Sequence, residues 1–289
     1  MVLIDFSQVC LSNILLQLGG KTELSEDLLR HLVLNTIRSY VQKFSGEYGQ
    51  LIVCADSKSY WRRSFYPQYK ATRRRDREAS GLDWHYIFEV LNKVKEEIKE
   101  SFPYRVIEVP GAEADDVIAV LTQEHFNQEK ILIISGDKDF QQLQRYNVIT
   151  DSRSSIRVVQ FSPILKKFIN TEDPIAYLFE HILRGDRGDG VPNFLSHDDV
   201  FVKGERQKPI SKIKVEEWLR KEPEEFCNEE MLRNFRRNEK LIDLRMIPDD
   251  IRQAILAEYE KAPQGDRRKI FSYMVAHRMR QLIECIQDF

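Results

Sequence analysis

Two hydrophobic periods alternate along the first half of the chain. Short apolar runs, rich in β-branched residues, occupy 2–4, 50–55 and the unbroken 131–134, and 105–109 is a further strand candidate interrupted by Glu108. Runs this short and this continuous read as strands buried on both faces, as in a parallel sheet. Between them the spacing turns helical. Asp27, Leu28, Leu32, Val33, Ile37 and Val41 follow a capping Ser25, and Trp84, Ile87, Phe88, Leu91, Val94 and Ile98 mark a helix over 82–102. Glu113 opens a third, with Val117, Ile118, Val120 and Leu121 behind it. The stretch 12–20 fits neither period, and 148–150 and 156–161 are further short strand candidates. Strands alternating with helices predict βαβ units, hence an α/β fold with a mainly parallel central sheet flanked by helices.

From about residue 163 the pattern becomes mostly helical. Helices are expected at 214–220, 229–241, 249–260 and 268–287, with a loop over 196–211. The chain therefore divides into an α/β core, 1–162, and a mostly helical region, 163–289.

Composition adds three constraints. Apolar residues make up 42% and charged residues 31% of 289, enough for a core in a soluble protein. No apolar run approaches the ~20 residues of a membrane span, and the chain enters a strand at once, so neither membrane segment nor signal peptide is expected. The four cysteines have no metal-type spacing, which points to a reduced, cytoplasmic protein without structural zinc.

The net charge of -2 hides strong local segregation. Residues 58–77 carry eight basic side chains (Lys58, Arg62, Arg63, Lys70, Arg73, Arg74, Arg75 and Arg77) against the single acid Asp76. Tyr60, Trp61, Phe65, Tyr66 and Tyr69 are interleaved with them. Cations neutralise phosphates and aromatic rings stack on unpaired bases, so this composition suits single-stranded nucleic acid. A solvated basic loop is the plain alternative.

Acids mark the ends of the strands. Asp5 and Asp56 follow the first two, Glu113, Asp115 and Asp116 follow the third, and Asp137 and Asp139 follow the fourth. Asp186 and Asp189 lie in a glycine-rich turn further on. Singly these are ordinary turn residues or matches to a helix dipole. Jointly they would repel one another severely at one sheet edge unless a hard divalent cation lay among them. Two such ions roughly 4 Å apart suit phosphodiester hydrolysis. Asp151 and Asp173 lack this context and read as structural.

These residues also form ordered motifs. Leu3-Ile4-Asp5-Phe6-Ser7-Gln8, Tyr60-Trp61-Arg62-Arg63, Glu113-Ala114-Asp115-Asp116, Ser135-Gly136-Asp137-Lys138-Asp139-Phe140 and Gly185-Asp186-Arg187-Gly188-Asp189 occur in sequence, followed by Arg237-Asn238 before Leu241. In order and spacing the chain resembles the flap endonuclease superfamily of structure-specific 5′ nucleases, over nearly its whole length. Within that superfamily it is similar to the ribonucleases H of T-even bacteriophages.

The resemblance implies a PIN-like 5′-nuclease core with a helical arch at 58–80 and a duplex-binding C-terminal region that completes the metal site. It implies two Mg²⁺, with Mn²⁺ as a substitute. Asp5, Asp56, Glu113 and Asp115 match the first site, with Asp116 adjacent, and Asp137, Asp139, Asp186 and Asp189 match the second. Tyr69, Lys70 and Arg73 match the arch motif, with Lys70 and Arg73 at the scissile phosphate beside the catalytic Asp5 and Asp137. Arg62, Arg63, Arg74, Lys203, Arg206, Lys208 and Lys212 are the remaining candidate nucleic-acid contacts.

The implied activity is 5′→3′ exonuclease, flap endonuclease and ribonuclease H, removing RNA primers and adjacent DNA in lagging-strand replication. The implied substrates are 5′-flap, forked or nicked DNA and RNA–DNA hybrid, handled by a monomer in the cytoplasm of a phage-infected cell. A replication single-strand-binding protein or sliding clamp is the implied protein partner, with 281–289 as a candidate docking tail. A catalytically silent branched-DNA binder is the alternative from another class, and the full set of acids argues against it. The chain departs from the superfamily at 191–211, which lacks its glycine-rich helix-turn-helix.

Overall fold

The computed structural model describes residues 1–18, 25–149 and 157–289; the side chains of Leu18, Arg74, Asp76, Val148 and Ile149 lie outside that description. The four β-branched runs become neighbouring strands: β1 (Val2–Asp5), β2 (Leu51–Cys54), β3 (Arg105–Ile107) and β4 (Ile131–Ile134). β5 (Val158–Ser162) and β6 (Lys167–Ile169) complete a six-stranded sheet in the order β3-β2-β1-β4-β5-β6. All pairings are parallel except β5 with β6. Val2 stands opposite Leu51 on one side and Leu132 on the other. The chain runs outward from β1 to β3 and then returns to the far side of β1 as β4. The carboxyl ends of β1 and β4 are therefore the topological switch point, where open α/β sheets form a crevice.

The first helices are α1 (Phe6–Leu18), α2 (Glu26–Tyr48), the short α3 (Trp61–Phe65) and α4 (Arg73–Glu78), α5 (Trp84–Ser101) and α6 (Ala114–His125). A 3-10 segment, Lys138–Arg145, leads into α7 (Tyr146–Ile149). The second half contributes α8 (Pro174–Arg184), α9 (Lys212–Trp218), α10 (Pro223–Phe226), α11 (Glu229–Ile242), α12 (Asp249–Tyr259), α13 (Arg267–Ala276) and α14 (Arg280–Ile283).

Side chains alternate across the strands, so β1 to β5 feed two cores. Val2, Ile4, Val53, Leu132 and Ile134 pack against α1, α2, α5 and α13. Leu3, Ile52, Ile107, Ile131 and Ile133 face α6 and α12. A third core joins Tyr66 and Tyr69 of the basic-aromatic stretch to Leu178, Ile182, Phe235 and Leu241. The aromatic spacing there is packing against α8 and α11, which explains why it follows no amphipathic period of its own.

Four local expectations need revision. The ambiguous stretch from Ser12 is part of α1; Ile14 is buried while Leu15 and Leu16 are exposed, so apolar residues on both faces blur the period. The strand expected at 148–150 is helical through Ile149, and Thr150 lies outside the described residues. Asn147 bonds β5 there, donating to the Val158 carbonyl at 2.7 Å and accepting from its N–H at 2.8 Å. β6 escaped notice because its three residues lie on an edge, with Lys167 and Phe168 exposed. The helix expected over 268–287 breaks after α13, where Arg278 turns to φ 54°. The tail beyond it is packed: Phe289 is 1% exposed with its ring 5.4 Å from that of Phe102, and Arg38 pairs with Asp288. Among the described residues no helix is long and apolar enough to cross a membrane.

Candidate active site

Each acid is set by the end of an element. Asp5 closes β1 and accepts the Gln8 N–H and the Ser135 hydroxyl, both at 3.1 Å. Ser135 follows β4, so this bond ties the two strand ends of the switch point together. Gln8 strengthens the tie by accepting the Gly136 N–H at 3.1 Å. Asp56 follows β2 and accepts the Ala114 N–H at 3.0 Å, at the start of α6. Glu113 is the N-cap of α6, and Asp116 completes a capping box by accepting the Glu113 N–H at 3.0 Å. Asp137 caps the 3-10 segment by accepting the Asp139 N–H at 2.9 Å.

The turn after α8 carries Asp186 and Asp189. Gly185 at its head has φ 69°, and a Cβ there would lie 2.4 Å from the Val191 carbonyl oxygen. Glycine is required on both counts. The turn is clamped from α11: Asn238 donates to the carbonyls of Ile182 and Pro192, both at 2.8 Å, and Arg237 donates to Pro192 at 2.9 Å. Residues beyond it, to Ser211, form no helix, in keeping with the missing glycine pattern.

Asp5, Asp56, Asp115 and Asp137 line a single cleft of about 520 Å³, together with Lys70 and Arg73. Tyr69 couples the two groups of acids, its hydroxyl 2.7 Å from Asp189 and 3.1 Å from Glu113. Lys70 pairs with Glu113 and lies 3.7 Å from Asp189. Its backbone is left-handed, φ 56°, and its N–H donates to the Asp189 carbonyl at 2.8 Å. A lysine in this disfavoured region stores strain of about 1–3 kcal/mol, which the surrounding packing must hold. Arg73 pairs with Asp189 as well. Beyond them Asp139 and Asp186 gather around His181, and Lys138 reaches Asp186 at 3.2 Å.

The electrostatics are those of anions forced together. Burial, helped by Asp56 and Asp137, pushes Asp5 from its ordinary 3.8 up to about 7, against hydrogen bonds from Gln8 and Ser135. Burial and the Asp137 charge hold Asp115 well above its usual range. Burial and Asp137 do the same to Asp139. Glu113 goes the other way: burial would raise it, but Lys70 and Arg62 outweigh burial and hold it low. Carboxylates raised in this way fit a divalent ion, whose charge inverts the local balance. The donors are nearly all carboxylate oxygens, the set preferred by hard cations.

Three expected roles are corrected. Arg62 is 2% exposed and cannot reach a phosphate; it pairs with Glu113 and Asp116, both at 2.8 Å, and donates to the Leu241 carbonyl at 2.9 Å. Asp116 is fully buried and turned from the cleft toward Arg62 and the Trp61 indole, 3.1 Å away, so it is not placed as a metal ligand. Tyr69, 2% exposed, joins acids within the site and offers no face for a base. Arg63, Lys203, Arg206, Lys208 and Lys212 are exposed, with Lys203 on Asp199 and Lys212 at 3.9 Å from Glu216. The Arg74 side chain lies outside the described residues. Two residues escaped the sequence argument. Arg77 lines the cleft, but nothing marked it out within the basic run. His181 is a lone histidine whose acidic neighbours include one from another element, Asp139.

Residues 27–174 match the family described as 5′-3′ exonuclease, N-terminal resolvase-like domain, and residues 174–289 match T4 RNase H, C terminal. Ribonuclease H of Enterobacteria phage T4 is 36% identical over 99% of this chain and 95% of its own. A 5′-3′ exonuclease of Aquifex aeolicus (strain VF5) is 32% identical over 55% of this chain and 52% of its own. T5 D15 protein co-crystallised with metal ions superposes with a TM-score of 0.62 at 17% identity, covering 90% of this chain and 99% of that one. The T5 D15 flap endonuclease in a pseudo-enzyme-product complex with DNA and metal ions gives a TM-score of 0.60 at 18% identity, with the same coverage. The solved structures share the fold; the sequence matches go further, and the chain belongs to the 5′-3′ exonuclease family of nucleases, with the C-terminal region of T4 RNase H.

Proposed function

We propose that this protein is a divalent-metal-dependent, structure-specific 5′ nuclease. It acts as a 5′→3′ exonuclease and flap endonuclease with ribonuclease H activity, removing RNA primers and adjacent DNA during lagging-strand replication in an infected bacterial cell. Four carboxylates meeting in one cleft beside Lys70 and Arg73 carry this assignment. The name of the phage T4 relative supports the RNA–DNA hybrid as a substrate, and the T5 flap endonuclease complex, which shares the fold, is one with DNA.

Asp5, Asp56, Glu113 and Asp115 would hold one Mg²⁺, and Asp137, Asp139, Asp186 and Asp189 a second. When bound, such ions supply Lewis-acid activation of water and neutralise charge on the phosphate. The protein's own part is positional. Ser135 and Gln8 fix Asp5 against β4. Lys70 and Arg73 stand where negative charge grows as a phosphodiester is attacked, and fixed cations there stabilise the transition state. Exposed Arg63, Lys203, Arg206, Lys208 and Lys212 would neutralise duplex phosphates.

The test uses a 5′-labelled flap and an RNA–DNA hybrid, each with and without Mg²⁺. Short 5′ products that appear only with metal are expected on both. Full activity of an Asp137→Asn protein, or tight flap binding without cleavage under any divalent metal, would overturn the assignment.

A further inference from the structure

α8 brings one more side chain to the acids that follow β4. His181 is 7% exposed, and its ring is held edge-on to Tyr177 with centroids 6.0 Å apart. Nδ1 faces Asp139 Oδ1 at 3.4 Å, and Nε2 faces Asp186 Oδ2 at 3.5 Å. Both ring nitrogens and Asp139 Oδ1 are buried without a hydrogen-bond partner. Buried polar atoms are rarely left so, and three facing one another call for a cause.

Imidazole chemistry narrows that cause. A neutral ring has one N–H and one lone pair. With a carboxylate oxygen before each nitrogen, one lone pair must point at an anion; Lys138, 3.2 Å from Asp186 Oδ2, offsets the charge before Nε2, so the pairing of Nδ1 with Asp139 is the one that calls for a cation. A proton on Nδ1 would draw Asp139 to the roughly 2.7–2.9 Å of a charge-assisted hydrogen bond. The observed Nδ1 separation is longer. Two ligands each about 2.1 Å from a shared ion, subtending roughly 90–109°, lie about 3.0–3.4 Å apart. The Nδ1 to Asp139 separation of 3.4 Å falls at the upper end of that span. Ligand atoms of Asp139, His181 and Asp186 all lie within 4.8 Å of one another.

We propose that His181 is a nitrogen ligand of the second metal, with Nδ1 and Asp139 on the ion and Nε2–H turned to Asp186. This rests on the metal-dependent reading above. The second site is then a mixed nitrogen–oxygen centre, unlike the all-oxygen first site. Imidazole suits Zn²⁺, Fe²⁺ and Ni²⁺ best, and Mn²⁺, though also content with oxygen, accepts it more readily than Mg²⁺, which keeps to oxygen. The two sites therefore differ in metal preference, with Mn²⁺ drawn to the second.

Pulsed electron paramagnetic resonance of the Mn²⁺-loaded protein tests this without reference to cleavage. A ¹⁴N coupling is expected in the wild type, changing to the ¹⁵N pattern when histidine alone is ¹⁵N-labelled. His181→Gln, with its thermal transition retained, should lose the coupling. It should bind Mn²⁺ about tenfold more weakly at one site, with Mg²⁺ binding little changed. If the variant fails to fold, the labelled wild-type spectrum still decides. Bound Mn²⁺ with no histidine coupling would overturn the proposal and leave the nuclease assignment standing. Absence of any Mn²⁺ binding would overturn both.

Discussion

Arg62 and Asp116 meet at 2.8 Å in the interior, their side chains 2% and 0% exposed. The same guanidinium holds Glu113 and the Leu241 carbonyl, so one buried cation joins α3, α6 and α11. Removing one member of such a group leaves uncompensated buried charge. Arg62→Met should cost about 3–5 kcal/mol of stability in urea unfolding. The salt dependence of DNA binding should keep its slope. A slope shallower by about one counterion would instead make Arg62 a phosphate contact.

Lys70 is held left-handed over Glu113 at the edge of the cleft. Replacing it with Met keeps its length and removes its charge. Single-turnover flap cleavage should fall on the order of 10²-fold or more, the loss typical of removing one charge-stabilising donor. Flap affinity, measured with Ca²⁺ in place of Mg²⁺, should change far less. An unaltered cleavage rate would remove Lys70 from the chemistry.

Burial, with Asp56 and Asp137 nearby, pushes Asp5 up from its ordinary 3.8 to about 7 in the folded chain. Between those values the folded state binds more protons than the unfolded state. Stability contributed by this group is therefore lost as pH rises from about 4 through 7. Asp115, Asp137 and Asp139 are raised too and act in the same direction. In EDTA, the melting temperature should decline between pH 5 and 8, and Asp5→Asn should flatten the decline. Mg²⁺ should stabilise the protein most at the upper end of that range. A metal-free melting temperature that rises through this window would contradict the charge arrangement.

Gly185→Ala places a methyl group 2.4 Å from the Val191 carbonyl at φ 69°. The turn bearing Asp186 and Asp189 must shift to admit it. Stability should fall by about 1–3 kcal/mol. Calorimetric Mn²⁺ titration should lose its second-site component while the first site persists.

Much of this architecture is legible locally. Each of the four β-branched runs contains one of the neighbouring parallel strands, and an acid at a strand end is positioned by the strand itself. What escapes is decided by direction or by distance. Asp115 and Asp116 are consecutive, yet successive helical side chains point about 100° apart, so one meets the cleft and the other the core. Tyr66 and Tyr69 look like a stacking surface until α8 and α11, far along the chain, cover them. His181 carries no local pattern, because Asp139 reaches it from another element. β6 is an exposed edge and has no buried face to imprint a period.

The clamp from Arg237 and Asn238 onto the Gly185–Val191 turn sets a clock on synthesis. A chain emerging from the ribosome displays Asp5, Asp56 and the α6 acids early, while Asp186 and Asp189 come much later and their clamp later still. A chain interrupted before α11 has every acid of both groups but lacks the two side chains that hold the turn bearing Asp186 and Asp189.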